Sequence, residues 1–331
     1  MRLAELDENQ LLQALSPYFR HNQETLVGVG DDCALIAAPD SQYVVSTDMI
    51  IGEQDFKADW SRPWQIGRRL AMQNLADIAA MGARPTALVL SLALPNELEL
   101  DWLKSFYQGL DSAAKQVGAV IVGGDLSRFH TLILNATVMG SLDGTNACTR
   151  DGGEPGDLVA VAGHLGFSYA GLDLCRQGYA QDLSALPAAL RPLAAQCRDI
   201  FKSAEPPLAQ GPRAAKAGAK ALIDTSDGLL VDLTRIAKAS QVSIELSIQA
   251  LDQAMAPLRP LADFLGKDAK EWVLYGGEDH ALAGLFPPDA TVPKGFQLWG
   301  KTLAGSPGTI TLAGTKVASQ NRWDHFGGTH E

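Results

Sequence analysis

The chain has 331 residues, 46% of them hydrophobic, a formal net charge of −11 and a mean hydropathy near zero. That length suits about two domains, no apolar run approaches the roughly 18 residues that span a bilayer, and the acidic balance argues against a nucleic-acid backbone as partner. Cys33, Cys148, Cys175 and Cys197 are scattered with no C-x-x-C pair, which argues against a zinc ribbon or a disulfide framework and for free, mostly buried thiols.

The first segment has Leu11, Leu12, Leu15 and Tyr18 at helical spacing and no basic stretch leading into an apolar run. A helix is expected rather than a secretory signal, and a cytoplasmic protein. Residues 43–52 (YVVSTDMIIG) read as a buried strand and 64–81 as a helix built on Ile66, Leu70, Leu75 and Ile78. That helix stops at Gly82, with Pro85 just beyond. A strand follows over 85–95, an amphipathic helix over 99–118, and two more strands over 119–127 and 131–142. The turn-rich stretch 143–157 (DGTNACTRDGGEPGD) marks a domain boundary. The pattern then restarts: a strand at 158–163, a glycine-led helix at 165–178, a Pro/Ala-rich helical region at 186–220, a strand at 219–226 and a helix at 228–240. Two comparable halves of alternating elements predict an α/β and α+β protein of two domains.

Residues 295–302, GFQLWGKT, match the phosphate-binding pattern G-x-x-x-x-G-K-T letter for letter. A working P-loop needs a glycine turn that opens a helix at the Lys-Thr. Here Phe296, Gln297, Leu298 and Trp299 read as a strand, and the glycines and proline of the following LAGSPGT forbid a helix. Lys301 is therefore expected at a strand end on the surface.

Acidic residues gather where apolar segments end: Asp31 and Asp32, Asp48, Asp77, Asp125, Asp224 and Asp227, Glu278 and Asp279. Any one of them suits a helix cap or a turn. Together, beside glycines that allow close approach, they form an oxygen donor set of the kind that holds Mg²⁺, and so predict Mg²⁺-dependent phosphate chemistry. Asp77 interrupts an apolar helix three residues after Asn74, so both face one way. Other templates fail. GFSYAG misses the nucleophile elbow and leaves Ser168 without partners in the sequence, and there is no H-E-x-x-H. The six histidines are dispersed, with His280 beside Glu278 as the one of interest.

The segments GVGDDCALI, STDM, NLADIAAMGARP, GGDLSR, RDGGEPGD, DTSDGLLVDL and GGEDHAL occur in this order over almost the whole chain. This set closely resembles the thiamine-monophosphate kinases, of the superfamily that includes aminoimidazole ribonucleotide synthetase. The resemblance implies an N-terminal α/β domain, 1–148, whose strands join a partner's in a dimeric β-barrel, and a C-terminal α+β domain, 149–331. It implies ATP-dependent phosphorylation of thiamine monophosphate to thiamine diphosphate by in-line transfer in a homodimer. Asp31, Ser46, Thr47, Asp48 and Asp77 resemble the family's Mg²⁺ shell, with Asp125, Asp224 and Asp227. Gly124, Asp125, Arg150 and Ser226 resemble its ATP contacts, and Phe106 or Tyr107 its nucleotide aromatic. The same resemblance gives Asp48, Asp125, Arg150 and Asp227 the catalytic roles. Glu278, with Trp323 or Phe326, resembles the thiamine side, where a carboxylate and an aromatic face suit a cationic ring. Asp55 stands where many family members carry a histidine toward substrate, and GGEDH replaces the commoner GGEDY.

Two alternatives stay open. One is another ATP-dependent synthetase of the superfamily, activating an amide or formyl oxygen; the other is a non-catalytic nucleotide or metal sensor. Selenophosphate synthetase would want a Cys or Lys in an N-terminal glycine-rich segment. A carbamoyl dehydratase would want a C-terminal cysteine, whereas this chain ends WDHFGGTHE.

Overall fold

The structure is a computed structural model that describes residues 2–6, 8–29 and 33–318. The chain divides into two compact units, one of residues 1–78 and 83–144, the other of residues 79–82 and 145–331. Among the described residues no helix is long and apolar enough to cross a membrane.

The first unit runs α1 (Glu8–Leu15), a small ribbon of β1 (Thr25–Val27) and β2 (Leu35–Ile36), β3 (Val44–Ile51), α2 (Pro63–Ala80), β4 (Arg84–Leu94), α3 (Leu100–Val117), β5 (Val120–Arg128) and β6 (Ile133–Ser141). Its four-stranded sheet has the order β3-β6-β4-β5 and is open at both edges. β4 and β5 are parallel and need a crossover, which α3 supplies; the other pairs are antiparallel. Period-2 alternation buries one face: Leu88, Leu90 and Leu92 of β4 and Leu134, Ala136 and Val138 of β6 are almost wholly buried. The helical spacing read in the sequence supplies the matching layer, with Leu70, Leu75 and Ile78 of α2 and Leu103, Phe106 and Leu110 of α3 buried. The opposite face carries a small cluster of Ala87, Val120 and Val122, while Val45 and Met49 of β3 stand 62% and 52% exposed.

The second unit is a seven-stranded mixed sheet, in the order β13-β12-β9-β11-β7-β10-β8, with helices. Its elements are β7 (Leu158–Ala162), α4 (Phe167–Leu174), α5 (Arg191–Lys202), α6 (Gln210–Lys216), β8 (Ala221–Asp224), α7 (Leu229–Ala239), β9 (Ser243–Leu246), α8 (Ile248–Met255), α9 (Arg259–Leu265), α10 (Ala269–Tyr275), β10 (Leu282–Phe286), β11 (Phe296–Leu303), β12 (Ile310–Leu312) and β13 (Thr315–Lys316). β7, β8 and β10 are buried on both faces, which explains why their sequences are continuous apolar runs. Val159 and Val161 of β7 and Ile223 of β8 join one large core with α4, α5 and α7. Ala160 and Leu222 point the other way, to Phe286 and Ala214. Of the cysteines, Cys33 is exposed and Cys148, Cys175 and Cys197 are buried free thiols.

GFQLWGKT lies in β11, a strand as the sequence implies. Gly300 sits at a register shift against β7 with φ +156°, and a Cβ there would meet the Glu245 carbonyl oxygen at 2.1 Å. The motif's second glycine therefore serves close strand contact rather than a phosphate. Thr302 is buried and donates its hydroxyl to the Glu154 carbonyl at 2.5 Å, while Lys301 is exposed. Lys301→Ala is expected to leave nucleotide affinity as in the wild type; a loss of nucleotide binding on titration would restore the P-loop reading.

Candidate active site

In the first unit the donors start from β3. Ser46 Oγ donates to Asp77 Oδ2 of α2 at 2.6 Å, and the Asp48 backbone N–H donates to Asn74 Oδ1 at 2.9 Å. Asn74 is fully buried and its amide donates back to the Leu70 carbonyl at 2.8 Å. The three-residue spacing of Asn74 and Asp77 on α2 thus presents both to one strand. Ser46, Asp48 and Asp77 lie together on the helix-covered face of the sheet.

Strand alternation places Thr47 on the opposite face, where its hydroxyl lies 3.0 Å from that of Thr137. Asp125 shares that face. Met49 pairs with Asn135, Asn135 with Ser91, and Ser91 with Asp125, so their side chains point the same way. Two strands separate β5 from β3, which sets Asp125 about 14 Å from that strand at the usual ~4.8 Å spacing. Within this chain, Thr47 and Asp125 therefore do not join Asp48 and Asp77.

In the second unit two loops run side by side. One follows β8 (Asp224-Thr225-Ser226-Asp227-Gly228) and the other precedes β10 (residues 276–281). Glu278 N donates to the Ser226 carbonyl at 2.9 Å, Thr225 N to the Ala281 carbonyl at 2.8 Å, and Ala281 N to Thr225 Oγ1 at 3.0 Å. A Cβ on Gly277 would come 2.5 Å from the Ser226 carbonyl, so only glycine allows this approach. The pairing brings Asp224, Ser226, Asp227 and Glu278 into one neighbourhood.

Charged neighbours hold these carboxylates. Arg235 of α7 pairs with both Asp227 and Asp232, and the Asp227 N–H donates to Asp232 Oδ2 at 3.0 Å. Burial and the nearby Asp224 charge push Asp232 up to about 7, against the pull of Arg235. His280 Nδ1 lies 3.0 Å from Asp224 Oδ2.

Asp279 does a different job. Its carboxylate accepts the Gly166 N–H at 2.5 Å and the Ser168 N–H at 2.7 Å, tying the loop to the start of α4. Burial pushes it up to about 7, against the pull of those two N–H groups. An amide offers one acceptor oxygen where the carboxylate offers two, so Asp279→Asn is expected to cost about 1–3 kcal/mol in urea unfolding. The folded pKa lies above the ordinary 3.8. Folding therefore takes up a proton between those values, and this contribution, full below about pH 4, is lost as pH rises through about 7. The variant should lack that part of the stability–pH slope.

Residues 30–142 match the family described as AIR synthase related protein, N-terminal domain. A thiamine-monophosphate kinase of Mycobacterium tuberculosis is 40% identical over 325 residues, covering 98% of this chain and 93% of the relative. The chain belongs to the thiamine-monophosphate kinase family. A solved thiamine-monophosphate kinase from Stenotrophomonas maltophilia K279a superposes with a TM-score of 0.75 at 29% identity, over 96% of this chain and 99% of the other. AaThiL complexed with AMPPCP and TMP does so with a TM-score of 0.75 at 27% identity, over 98% and 99%. The fold is thus the α/β architecture of the AIR synthase-like proteins, with mixed sheets and helices. No sheet of the described chain closes on itself.

Several expectations drawn from the thiamine-monophosphate kinase resemblance meet a different arrangement here. Phe106 and Tyr107 are core residues, 0% and 3% exposed, the first stacked on Trp102 and the second against Tyr18 and Phe19. Burial accordingly pushes the Tyr107 phenol well above its usual range, and neither ring offers a nucleotide an open face. Asp55 uses Oδ2 to accept the Ile51 N–H at 2.7 Å, closing the turn after β3; that carboxylate oxygen has a local backbone role. Gly124 lies exposed in β5, where a Cβ would meet the Leu90 carbonyl at 2.4 Å. Arg150 is exposed on a loop that Ser240 anchors, its hydroxyl donating to the Arg150 carbonyl at 2.7 Å and accepting the Gly153 N–H at 2.9 Å. Asp31, Trp323 and Phe326 lie outside the described residues.

Among the described residues no group of three or more His, Cys, Asp or Glu side chains could hold a metal ion. The anticipated Mg²⁺ shell is split by strand alternation onto two faces of one sheet and divided between the two units, and the second unit's carboxylates already have Arg235 and His280. In kind, though, the donors fit: hydroxyls and carboxylates are the hard oxygen ligands Mg²⁺ takes. Asp232, Arg235 and Thr225 were not singled out in the sequence; the acid–base spacing of three between Asp232 and Arg235 at the start of α7 was the available signal.

Proposed function

We propose that this chain transfers the γ-phosphoryl group of ATP to thiamine monophosphate, giving thiamine diphosphate. The observation that carries this reading is end-to-end likeness to thiamine-monophosphate kinases, AaThiL with AMPPCP and TMP among them. Ser46, Asp48 and Asp77 would hold Mg²⁺ in the first unit and Asp224 and Asp227 in the second; Asp31, Thr47 and Asp125 are further ligands that the family resemblance assigns. Mg²⁺ supplies charge neutralisation on the polyphosphate and fixes its oxygens.

The chain's own residues do the rest by positioning. Asn74 fixes the backbone at Asp48, and Ser46 fixes Asp77. Arg150 can fork onto phosphate oxygens from its Ser240-anchored loop, and Gly124 and Ser226 are the further nucleotide contacts that the family resemblance assigns. Glu278 faces the thiamine cation, with Asp55 and with Trp323 or Phe326. The acceptor is a phosphate that already carries its negative charge near neutral pH, so no general base is required. Alignment and electrostatics carry the rate. The test is purified protein with Mg-ATP and thiamine monophosphate, scored for thiamine diphosphate; no product would overturn the reading.

We infer also that two copies pair through the first unit and that the enzyme works in the cytoplasm. The open sheet has β3 and β5 as its edge strands, and on the face away from α2 and α3 Val45 and Met49 are largely exposed. Closure against a second copy into a barrel would remove both edges. Light scattering on a sizing column should give a dimer that Val45→Lys dissociates, and a monomeric wild type would refute the pairing.

A further inference from the structure

His280 is 5% exposed and carries a backbone φ of +50°, a region that few non-glycine residues adopt. Contacts on both sides enforce it. His280 N donates to the Thr225 carbonyl at 3.3 Å, Ala281 N to Thr225 Oγ1 at 3.0 Å, and Asp279 is locked onto the start of α4. The result aims the imidazole at Asp224, the last residue of β8. Nδ1 lies 3.0 Å from Asp224 Oδ2, with both side chains 6% exposed. An ionised carboxylate only accepts, so Nδ1–H is the donor whatever Nε2 carries.

A carboxylate so deeply buried needs a fixed hydrogen bond. One that also ligates a cation needs its free oxygen aimed, and such outer partners typically set metal affinity by ten- to a hundred-fold. We propose that His280 is a positioning residue that holds Asp224 Oδ2 so that the other carboxylate oxygen is presented to a divalent cation. This rests on the reading of Asp224 as a metal ligand given above. In this left-handed conformation the ring turns toward β8 while the neighbouring Asp279 turns toward α4.

The test uses the full chain and Mn²⁺ alone, with free ion read by its electron paramagnetic resonance signal. His280→Phe keeps a ring and removes the donor; His280→Asn keeps a donor and removes the ring. The phenylalanine variant is expected to weaken Mn²⁺ binding about ten-fold and the asparagine variant to bind as the wild type. Asp224→Asn should weaken it at least as much, with His280→Phe adding nothing on top. In turnover, His280→Phe should raise the Mg²⁺ half-saturation and leave kcat at saturating Mg²⁺ and the KM for thiamine monophosphate unchanged. Wild-type Mn²⁺ affinity in His280→Phe, or in Asp224→Asn, would overturn the proposal. So would equal weakening in His280→Asn and His280→Phe, which would show that a retained donor does not rescue binding. If His280→Phe fails to fold, His280→Leu, which also lacks the donor, takes its place with the same expected loss, and wild-type Mn²⁺ affinity in it refutes the proposal. If the Mn²⁺ pattern holds but no thiamine diphosphate forms, the functional reading fails and this inference stands.

Discussion

Asp227→Asn, and separately Asp48→Asn, is expected to lower kcat by about 10²–10³-fold, the scale seen when one preorganised electrostatic group is removed from a transition state. Neither should unfold the protein. Asp227 is 27% exposed and its Arg235 partner 40% exposed, so the ion pair is screened and contributes at most about 1 kcal/mol. At Asp48 the hold from Asn74 is on the backbone N–H, which asparagine retains. Stability and turnover therefore separate: urea midpoints close to wild type, with activity lost at saturating Mg-ATP. Asp232→Asn should behave the other way. Asp232 is fully buried and accepts from Arg235 and from the Asp227 N–H, so its loss disturbs folding first and activity through Asp227. Near-normal turnover in both Asp48→Asn and Asp227→Asn would sink the metal assignment.

The Asn74–Asp77 pair was legible in the sequence because helix geometry is local: a spacing of three on an apolar helix has one outcome. The strand character of GFQLWGKT was legible for the same reason, since its flanking glycines and proline forbid the helix a P-loop needs. The division of Ser46, Thr47 and Asp48 between two faces follows from the same alternation, yet reading STDM as one ligand run passed over it. Asp125 was grouped with Asp48 because both end apolar segments. Only the strand order β3-β6-β4-β5, a non-local fact, sets them two strands apart. Phe106 and Tyr107 show the complementary limit. An amphipathic helix predicts which positions are buried, but a motif resemblance assigned a ligand contact to rings that Trp102, Tyr18 and Phe19 pack against. The Arg235–Asp232 pair is local, a spacing of three on one helix, whereas His280 reaches Asp224 only through the pairing of two loops 56 residues apart, which no short sequence window contains.

Gly109→Ala, and its counterpart Gly67→Ala, should be among the most destabilising small substitutions in the first unit. A Cβ on Gly109 would lie 2.0 Å from the Trp64 carbonyl oxygen and 2.9 Å from Arg68 N; one on Gly67 would lie 2.0 Å from the Phe106 carbonyl oxygen. The obstacles are backbone on both sides, so no rotamer change relieves them and α2 and α3 must move apart. Alanine gains about 1 kcal/mol of helix propensity over glycine. Overpacking of this kind costs about 1–3 kcal/mol or more, and separating the helices also opens the layer of Leu70, Phe106 and Leu110. A net loss of about 2 kcal/mol is expected in urea unfolding. Gly123→Ala, where a Cβ meets nothing within 4 Å, serves as the control and should be close to neutral. The effect should also reach function. α2 carries Asn74 and Asp77, which meet β3 at 2.9 and 2.6 Å, and hydrogen bonds weaken steeply beyond such distances. Gly109→Ala should therefore raise the Mg²⁺ requirement as well as lower stability. A variant as stable as wild type would show that the two helices separate freely, and that α2 does not set the spacing between its donors and β3.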